Sequence, residues 1–549
     1  MNHANKPNPT DAVRALSRRR FIQASAFAIS GSALLPMLAS CSSEPTGGAG
    51  VFVLGQGVEA QSAVSFLSSD TSAGMIATNV FNGLINLNYK FEPIPDLATS
   101  WEFSPDGRTF TFHLAQNVKW HDGQPFTASD VEFTFNEIAG KIAPRGPSWY
   151  PNVTSAKALD DHTFELALKE PFAPIITLLG SPALMGMLIV PQHVYAGTDA
   201  KKNPANRSPI GTGPFKFAQW VQGDHVNLTR NEDYFKPDLP HLDRLVFKQV
   251  PNEATRATAL SQGEINFLNW YDIPYNEIKS LESNPNVTVV HRGGEGGATT
   301  EFVLTNVKNK YLSSQLVRQA LYYGLDRQAI RDKALFGIGE VAHSPVNSAL
   351  VTLYNGSDDV YKRNLAKAKA LLDQAGYSPG KDGTRFTLRL IYSQGRAYEQ
   401  AAAQLIQAQL KEIGVAIQLE TLDRTSFINK VFTRYDFDLA HQLFAIGPDP
   451  TIGLTPRITT AAINGAPFAN AMQYSNLQLD ALFEKEQVTV DIAARKALWD
   501  KIQSILMSQL PMLPLFEVPN VQAFSAAFSD VITGPWGYLQ NHEAVTKAK

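Results

Sequence analysis

The sequence predicts a mixed α/β protein, and three observations predict it. Apolar side chains alternate with period two at Phe110-Phe112-Leu114, Phe164-Leu166-Leu168, Phe386-Leu388-Leu390 and Val415-Ile417-Leu419, the signature of half-buried strands. Helical spacing fills the stretches between them, with capping residues where helices would begin. The chain is 549 residues long, too much for a single hydrophobic core, so two or three domains are expected.

The elements follow in order. Thr127-Ala-Ser-Asp130 has the form of a capping box, and Val131, Phe135 and Ile138 then share one helix face. His121-Asp122-Gly123 lies between a strand and that helix and carries turn chemistry: glycine supplies positive φ and aspartate bonds its own backbone. Gly211-Thr-Gly-Pro214 suits a sharp bend into a strand; it lacks the Lys-Ser/Thr of a phosphate loop. Asn364 caps a helix that buries Leu365, Ala368, Leu372 and Ala375 and stops at Gly376. Leu479, Leu482 and Phe483, then Leu498, Ile502 and Ile505, mark two helices ending before Pro511.

Composition excludes several functions. The chain is 44% hydrophobic and 18% charged, with a net charge of −3 and no basic stripe, so nucleic acid is not an expected partner. Cys41 is the single cysteine, which rules out an internal disulfide and any cysteine-rich metal site. His542-Glu543 is followed by no second histidine at metalloprotease spacing, and no Gly-x-Ser-x-Gly elbow follows Cys41. His113 and His121 are expected to be structural, and the pairs Asp160-Asp161 and Asp358-Asp359 to be solvated loop carboxylates. No enzyme activity, cofactor or metal is expected.

The N-terminus carries an address. Ser17-Arg-Arg-Arg-Phe-Ile-Gln23, with Arg18 and Arg19, resembles a twin-arginine export signal, and Leu38-Ala-Ser-Cys41 resembles a bacterial lipobox. The run Ala24 to Ser40 has only 17 residues, contains Pro36 and is rich in small residues, which suits a signal rather than a membrane span. The resemblance implies that residues 1–40 are removed after the protein has folded, and that Cys41 takes a diacylglycerol. Ser42 to Gly50 would then be a flexible tether. Such a lipoprotein works in the periplasm or on the outer face of the cytoplasmic membrane, or on the inner leaflet of an outer membrane.

Further blocks resemble the extracytoplasmic solute-binding proteins of family 5, the peptide/nickel group of ABC importers. They are Asn79-Val-Phe-Asn-Gly-Leu84, Pro95 to Trp101 with Asp106-Gly107, Val118-Lys-Trp-His-Asp-Gly123 with Pro125 to Val131, Pro209 to Phe215, Val317 to Leu321 with Asp326-Arg327, Lys367 to Leu372 with Ala375-Gly-Tyr377, Tyr474-Ser-Asn476 and Pro511 to Leu515. Membership implies a two-lobed, periplasmic-binding-protein-like α/β fold of type II character, with mixed sheets, an extra subdomain in lobe I and a ligand cleft between the lobes. By analogy lobe I covers 51–292 plus 509–549 and lobe II covers 293–508. A monomer would capture a small solute, most simply a peptide or peptide-like one, and deliver it to the permease and ATPase subunits. A non-peptide such as an oligosaccharide, an opine-like conjugate or a metal chelate is the alternative cargo.

The resemblance also points to site residues. Peptide binders of the family place an acid before the Asp-Pro of a lobe II loop, where it pairs with the ligand's amino group. The matching stretch here is Leu443-Phe-Ala-Ile-Gly-Pro-Asp-Pro450, with Ile446 at the acid's place, which weakens recognition of a free ammonium. Phe444, Ile446 and Asp449 are the loop's candidates. Ser393 falls nearest the arginine that dipeptide binders use for the ligand carboxylate, and Arg396 is close enough to substitute as an anion clamp. In lobe I, Gln56 and Glu59 follow the first strand, Trp270 and Tyr271 could stack on a ligand, and Asp272 could accept a donor.

Overall fold

A computed structural model describes residues 50–548 apart from 68–69, 145, 147–148 and 182–186. Arg18, Arg19 and Cys41, with the export and lipid signals they were assigned, lie outside the described residues. The rest folds around three sheets of four strands or more.

The first sheet has seven strands in the order Val287–Val290, Gln522–Ser525, Phe267–Leu268, Val51–Gln56, Arg244–Gln249, His225–Arg230 and Phe215–Val221. Val51–Gln56 runs parallel to both of its neighbours and is buried along its whole length, as a strand covered on both faces must be. The second sheet has six, in the order Glu340–Val341, Met512–Glu517, Thr299–Thr305, Leu439–Ala445, Phe386–Ser393 and Val415–Leu422. Its last three strands are parallel. A four-stranded antiparallel sheet of Ala98–Phe103, Thr109–Leu114, Thr163–Leu168 and Val153–Asp160 forms the subdomain of the first lobe. All four strands expected from alternation are present, and each buries its apolar positions except Leu419, which is half-buried.

The chain passes from the first sheet to the second across residues 291–298 and returns across 518–521. Met512–Glu517, which a boundary at residue 509 would give to the first lobe, is hydrogen-bonded within the second sheet. The glycine-rich outward crossing is pinned: Gln522 Nε2 donates to the Gly293 carbonyl at 3.0 Å, and a Cβ on Gly296 would lie 2.3 Å from the Trp536 ring.

Helix signals are realised locally. Thr127 and Asp130 form the capping box, Asn364 accepts from Lys367 N, and the helix it starts ends where Gly376 takes φ +87°. Leu477–Gln487 and Ile492–Gln509 are the two late helices, the second closed by Leu510 in a left-handed conformation. The Gly211–Pro214 bend runs so close to the first lobe's helix Thr71–Val80 that a Cβ on Gly211 would sit 1.8 Å from the Val80 carbonyl. His121 stitches this bend: Gly211 N donates to its Nδ1 at 3.2 Å and its Nε2 meets the Gly213 carbonyl at 3.0 Å. One loop carboxylate departs from expectation. Asp359 is only 4% exposed, receives Arg327 at 2.7 Å and His343 at 2.6 Å, and so anchors the core rather than facing water.

Candidate functional site

Parallel strands place their carboxyl ends, and the loops that follow, on one edge of a sheet, where ligands of open α/β sheets commonly sit. In the second sheet that edge carries Arg396 after Phe386–Ser393, Arg424 after Val415–Leu422, and the 446–450 loop after Leu439–Ala445. Thr299–Thr305 starts at the same edge with Glu301. In the first sheet the parallel strands Val51–Gln56 and Phe267–Leu268 end at Gln56 and just before Asn269 to Asp272.

The two edges meet. The Arg396 guanidinium lies 4.3 Å from the centroid of the Tyr271 ring, and Tyr275 packs edge-on against Tyr398 at 5.6 Å. A cavity of about 80 Å³ remains between them, lined by Trp270, Tyr271 and Tyr275 on one side and Phe336, Arg396 and Tyr398 on the other. Farther along the boundary, Ala173 N donates to the Gln487 carbonyl at 2.7 Å. Beside that contact a cavity of about 710 Å³ opens between Trp149 and Phe172 of the first lobe and Thr451, Ile452, Thr455 and Phe483 of the second. The lobes are therefore in contact at two places along the boundary.

Behind Arg396 lies a buried polar cluster. Glu301, with no exposed surface, accepts from Tyr398 Oη at 3.0 Å. Its other oxygen is 3.3 Å from His441 Nε2 without hydrogen-bond alignment, so that oxygen and both His441 nitrogens stay unsatisfied. Burial pushes the Glu301 carboxyl up to about 7, against the opposing pull of Arg396 and the Tyr398 hydrogen bond. Burial also holds His441 below its ordinary value and raises Glu399. Arg396 donates to Glu399 Oε1 at 3.0 Å and to Tyr398 Oη at 3.1 Å.

The structure brings some expected site residues together and separates others. Trp270, Tyr271 and Arg396 share the small cavity. Tyr271 is 40% exposed, while Trp270 is buried in the core. Asp272 shapes the same wall from inside: it accepts Gly57 N at 2.9 Å and Asn269 Nδ2 at 2.6 Å, and Arg256 holds its carbonyl at 2.8 Å. Desolvation raises its pKa in spite of these bonds. Gln56 is buried against Ser72 and Met75. Glu59 turns to the neighbouring hairpin, accepting from Trp220 Nε1 at 3.3 Å and Gly223 N at 3.0 Å.

The lobe II loop points its side chains inward. Phe444 packs on Phe302 at 5.9 Å and lies under Arg457 at 4.5 Å. Ile446 has no exposed surface. Asp449 takes both terminal nitrogens of Arg495 at 2.7 Å, and Arg495 also binds Glu486 at 3.0 Å. Glu486 is pushed up to about 7 by burial, while Asp449 stays engaged with the guanidinium.

Glu301, Tyr275, Tyr398, Glu399, Arg424, His441 and Gln442 were not singled out by the sequence. One signal was present: Glu301 is the one charged residue in the otherwise uncharged strand Thr299–Thr305, a burial that demands partners. Among the described residues, no group of three His, Cys, Asp or Glu side chains is placed to hold a metal ion.

Two lobes of mixed sheet, joined by two crossing segments and meeting across an aromatic and charged cleft, define a solute-binding protein rather than an enzyme. The chain belongs to the bacterial extracellular solute-binding proteins, family 5, whose middle region matches residues 92–464. It is 28% identical over 452 residues to the glutathione-binding protein GsiB of Pectobacterium atrosepticum, covering 81% of this chain and 84% of that one. Its structure is similar to the ABC transporter substrate-binding protein CtaP of Listeria monocytogenes, at TM-score 0.79 and 26% identity over 91% of this chain and 100% of CtaP. It is also similar to the ABC transporter-associated periplasmic binding protein DppA of Helicobacter pylori in complex with the peptide STSA, at TM-score 0.77 and 27% identity over 91% and 98% of the two chains.

Proposed function

We propose that this chain is the substrate-binding component of an ABC importer, which takes a peptide or peptide-like solute between its lobes and presents it to the permease and ATPase subunits. The observation that carries the proposal is the Tyr271–Arg396 contact across the boundary, beside a cavity at the carboxyl ends of strands from both sheets. A solute that touches both lobes binds the closed state better and shifts the population toward it. The names of the similar proteins, glutathione-binding and peptide-bound, support a peptide-like cargo.

In this reading the first lobe runs over 51–292 and from 518 onward, and the second over 293–517. The export signal at Arg18-Arg19 and the lipid on Cys41 belong to the same proposal and hold the protein on the outer side of the cytoplasmic membrane. The 443–450 loop supports a solute read without an acid from that loop. Ile446 cannot neutralise an ammonium, and Asp449 is already committed to Arg495.

A thermal-shift screen tests the proposal, using di- to hexapeptides, N-acetylated peptides, glutathione, oligosaccharides, opine-like conjugates and nickel chelates. Ligand at a thousand times its dissociation constant stabilises by about 4 kcal/mol, a shift of a few degrees in a chain of this size. N-acetylated and free-amine peptides should shift the protein alike. Stabilisation confined to free-amine peptides would show that another carboxylate reads the amine. Stabilisation only by sugars, or by nothing, would remove the peptide reading.

A further inference from the structure

Two guanidinium groups stand at the carboxyl ends of the parallel strands, and only one is spent. Arg396 gives its hydrogen bonds to Glu399 and Tyr398 and lays its face on Tyr271. Arg424 makes a single long hydrogen bond, 3.4 Å from Nη1 to Gln442 Oε1. Its guanidinium rests 5.1 Å from the Phe468 ring and 5.8 Å from the Phe427 ring. Among the described residues it forms no ion pair, and the residue is exposed.

The surroundings leave that charge uncancelled. Glu399 balances Arg396. Burial pushes Glu301 up to about 7 and holds His441 below its ordinary value. Burial and repulsion from Arg396 hold Arg424 below its ordinary value, while Tyr271, Glu399 and Glu301 oppose that shift only in part. An arginine fork set beside two rings, with free N–H groups and no carboxylate of its own, is suited to a planar anion.

We infer that Arg424, oriented by Gln442, Phe427 and Phe468, binds a carboxylate of the transported solute, so that the cargo is acidic. This rests on the solute-binding reading above and adds the charge class of the solute. It also divides labour between the arginines: Arg396 ties the lobes together, and Arg424 reads the ligand.

Calorimetric titration with matched pairs tests it. The pairs are glutathione and its glycine ethyl ester, Ala-Ala-Ala and its C-terminal amide, and an N-carboxyalkyl amino acid and its ester. The acid of at least one pair should bind about tenfold or more tighter than its neutral partner, the range of a charge-assisted hydrogen bond. Arg424→Gln should bring the two to within about twofold by weakening the acid alone, and Arg424→Lys should restore part of the gap. Equal binding of acid and neutral partners by the unaltered protein overturns the inference and leaves the peptide reading intact. A preference that survives Arg424→Gln also overturns it, and its loss in Arg396→Gln would move the carboxylate to that residue. Binding of the non-peptide acid alone, dependent on Arg424, supports the inference while removing the peptide reading. Binding of no member removes both.

Discussion

Glu301 shows how a single side chain sets a pH dependence. Its folded-state pKa of about 7 lies above the 4.5 of the free side chain. Between those values the folded protein holds a proton that the unfolded chain has lost. Stability therefore falls as pH rises through that window and levels off above it. Glu486, also near 7, adds the same sign. His121, lowered to about 4, and His542, lowered to about 3, act oppositely: the unfolded chain binds their protons first, so stability rises with pH up to about 6.5. The two carboxylates and the two histidines offset each other in the overlap. Glu301→Gln removes one of the two carboxylates from that balance. Urea titrations at pH 5 and pH 8 should show the variant gaining on the unaltered protein by about 2–3 kcal/mol across the interval. An unchanged difference would mean that Glu301 is ionised throughout.

Helices and loops are joined by the same kind of buried charge. Asp449 caps the short helix Pro450–Gly453 by accepting Thr451 N at 2.9 Å, and its carboxylate grips Arg495 in the long helix Ile492–Gln509. Glu486 on Leu477–Gln487 completes the junction through Arg495, Thr451 and Trp499. Three helices thus meet at one guanidinium that is 5% exposed. Removing one partner of such a pair strands a buried charge. Asp449→Ala should therefore cost about 3–5 kcal/mol, seen as a lower midpoint in urea at unchanged slope. A loss below about 1 kcal/mol would put the pair in the class of solvent-screened surface contacts.

At the scale of the molecule, two short segments cross between the lobes, and one buried apolar cluster runs from Val51 and Trp270 in the first to Val303 and Tyr398 in the second. Tyr271 supplies the first lobe's half of the Arg396 contact without entering any carboxylate pair, so its removal isolates the joint. A cation–π contact on so exposed a ring contributes about 0.5–1 kcal/mol, enough to move an open–closed equilibrium about two- to fivefold. Tyr271→Ala should raise the radius of gyration in small-angle scattering without solute, and a saturating solute should bring it back. Identical scattering with and without Tyr271 would assign closure to the Ala173–Gln487 end instead.

The sequence by itself determined the class, the strands, the helix caps and the bends, because these are local. Period-two burial at Phe386 to Leu390 and the Thr127 capping box are each dictated by neighbours a few residues away. Two of the candidates it offered, Tyr271 and Arg396, meet across the boundary between the lobes. What it left open depended on residues far apart in the chain. The Asp449 carboxylate looks available in sequence and is consumed by an arginine 46 positions later. Arg396 reads as a free anion clamp until Glu399, Tyr398 and Tyr271 take up its guanidinium. Arg424 carries no signal in the sequence, and only the sheet order sets it beside Arg396 and Gln442. Local patterns fix which elements form; which charge is spent and which is free is decided only when distant elements pack.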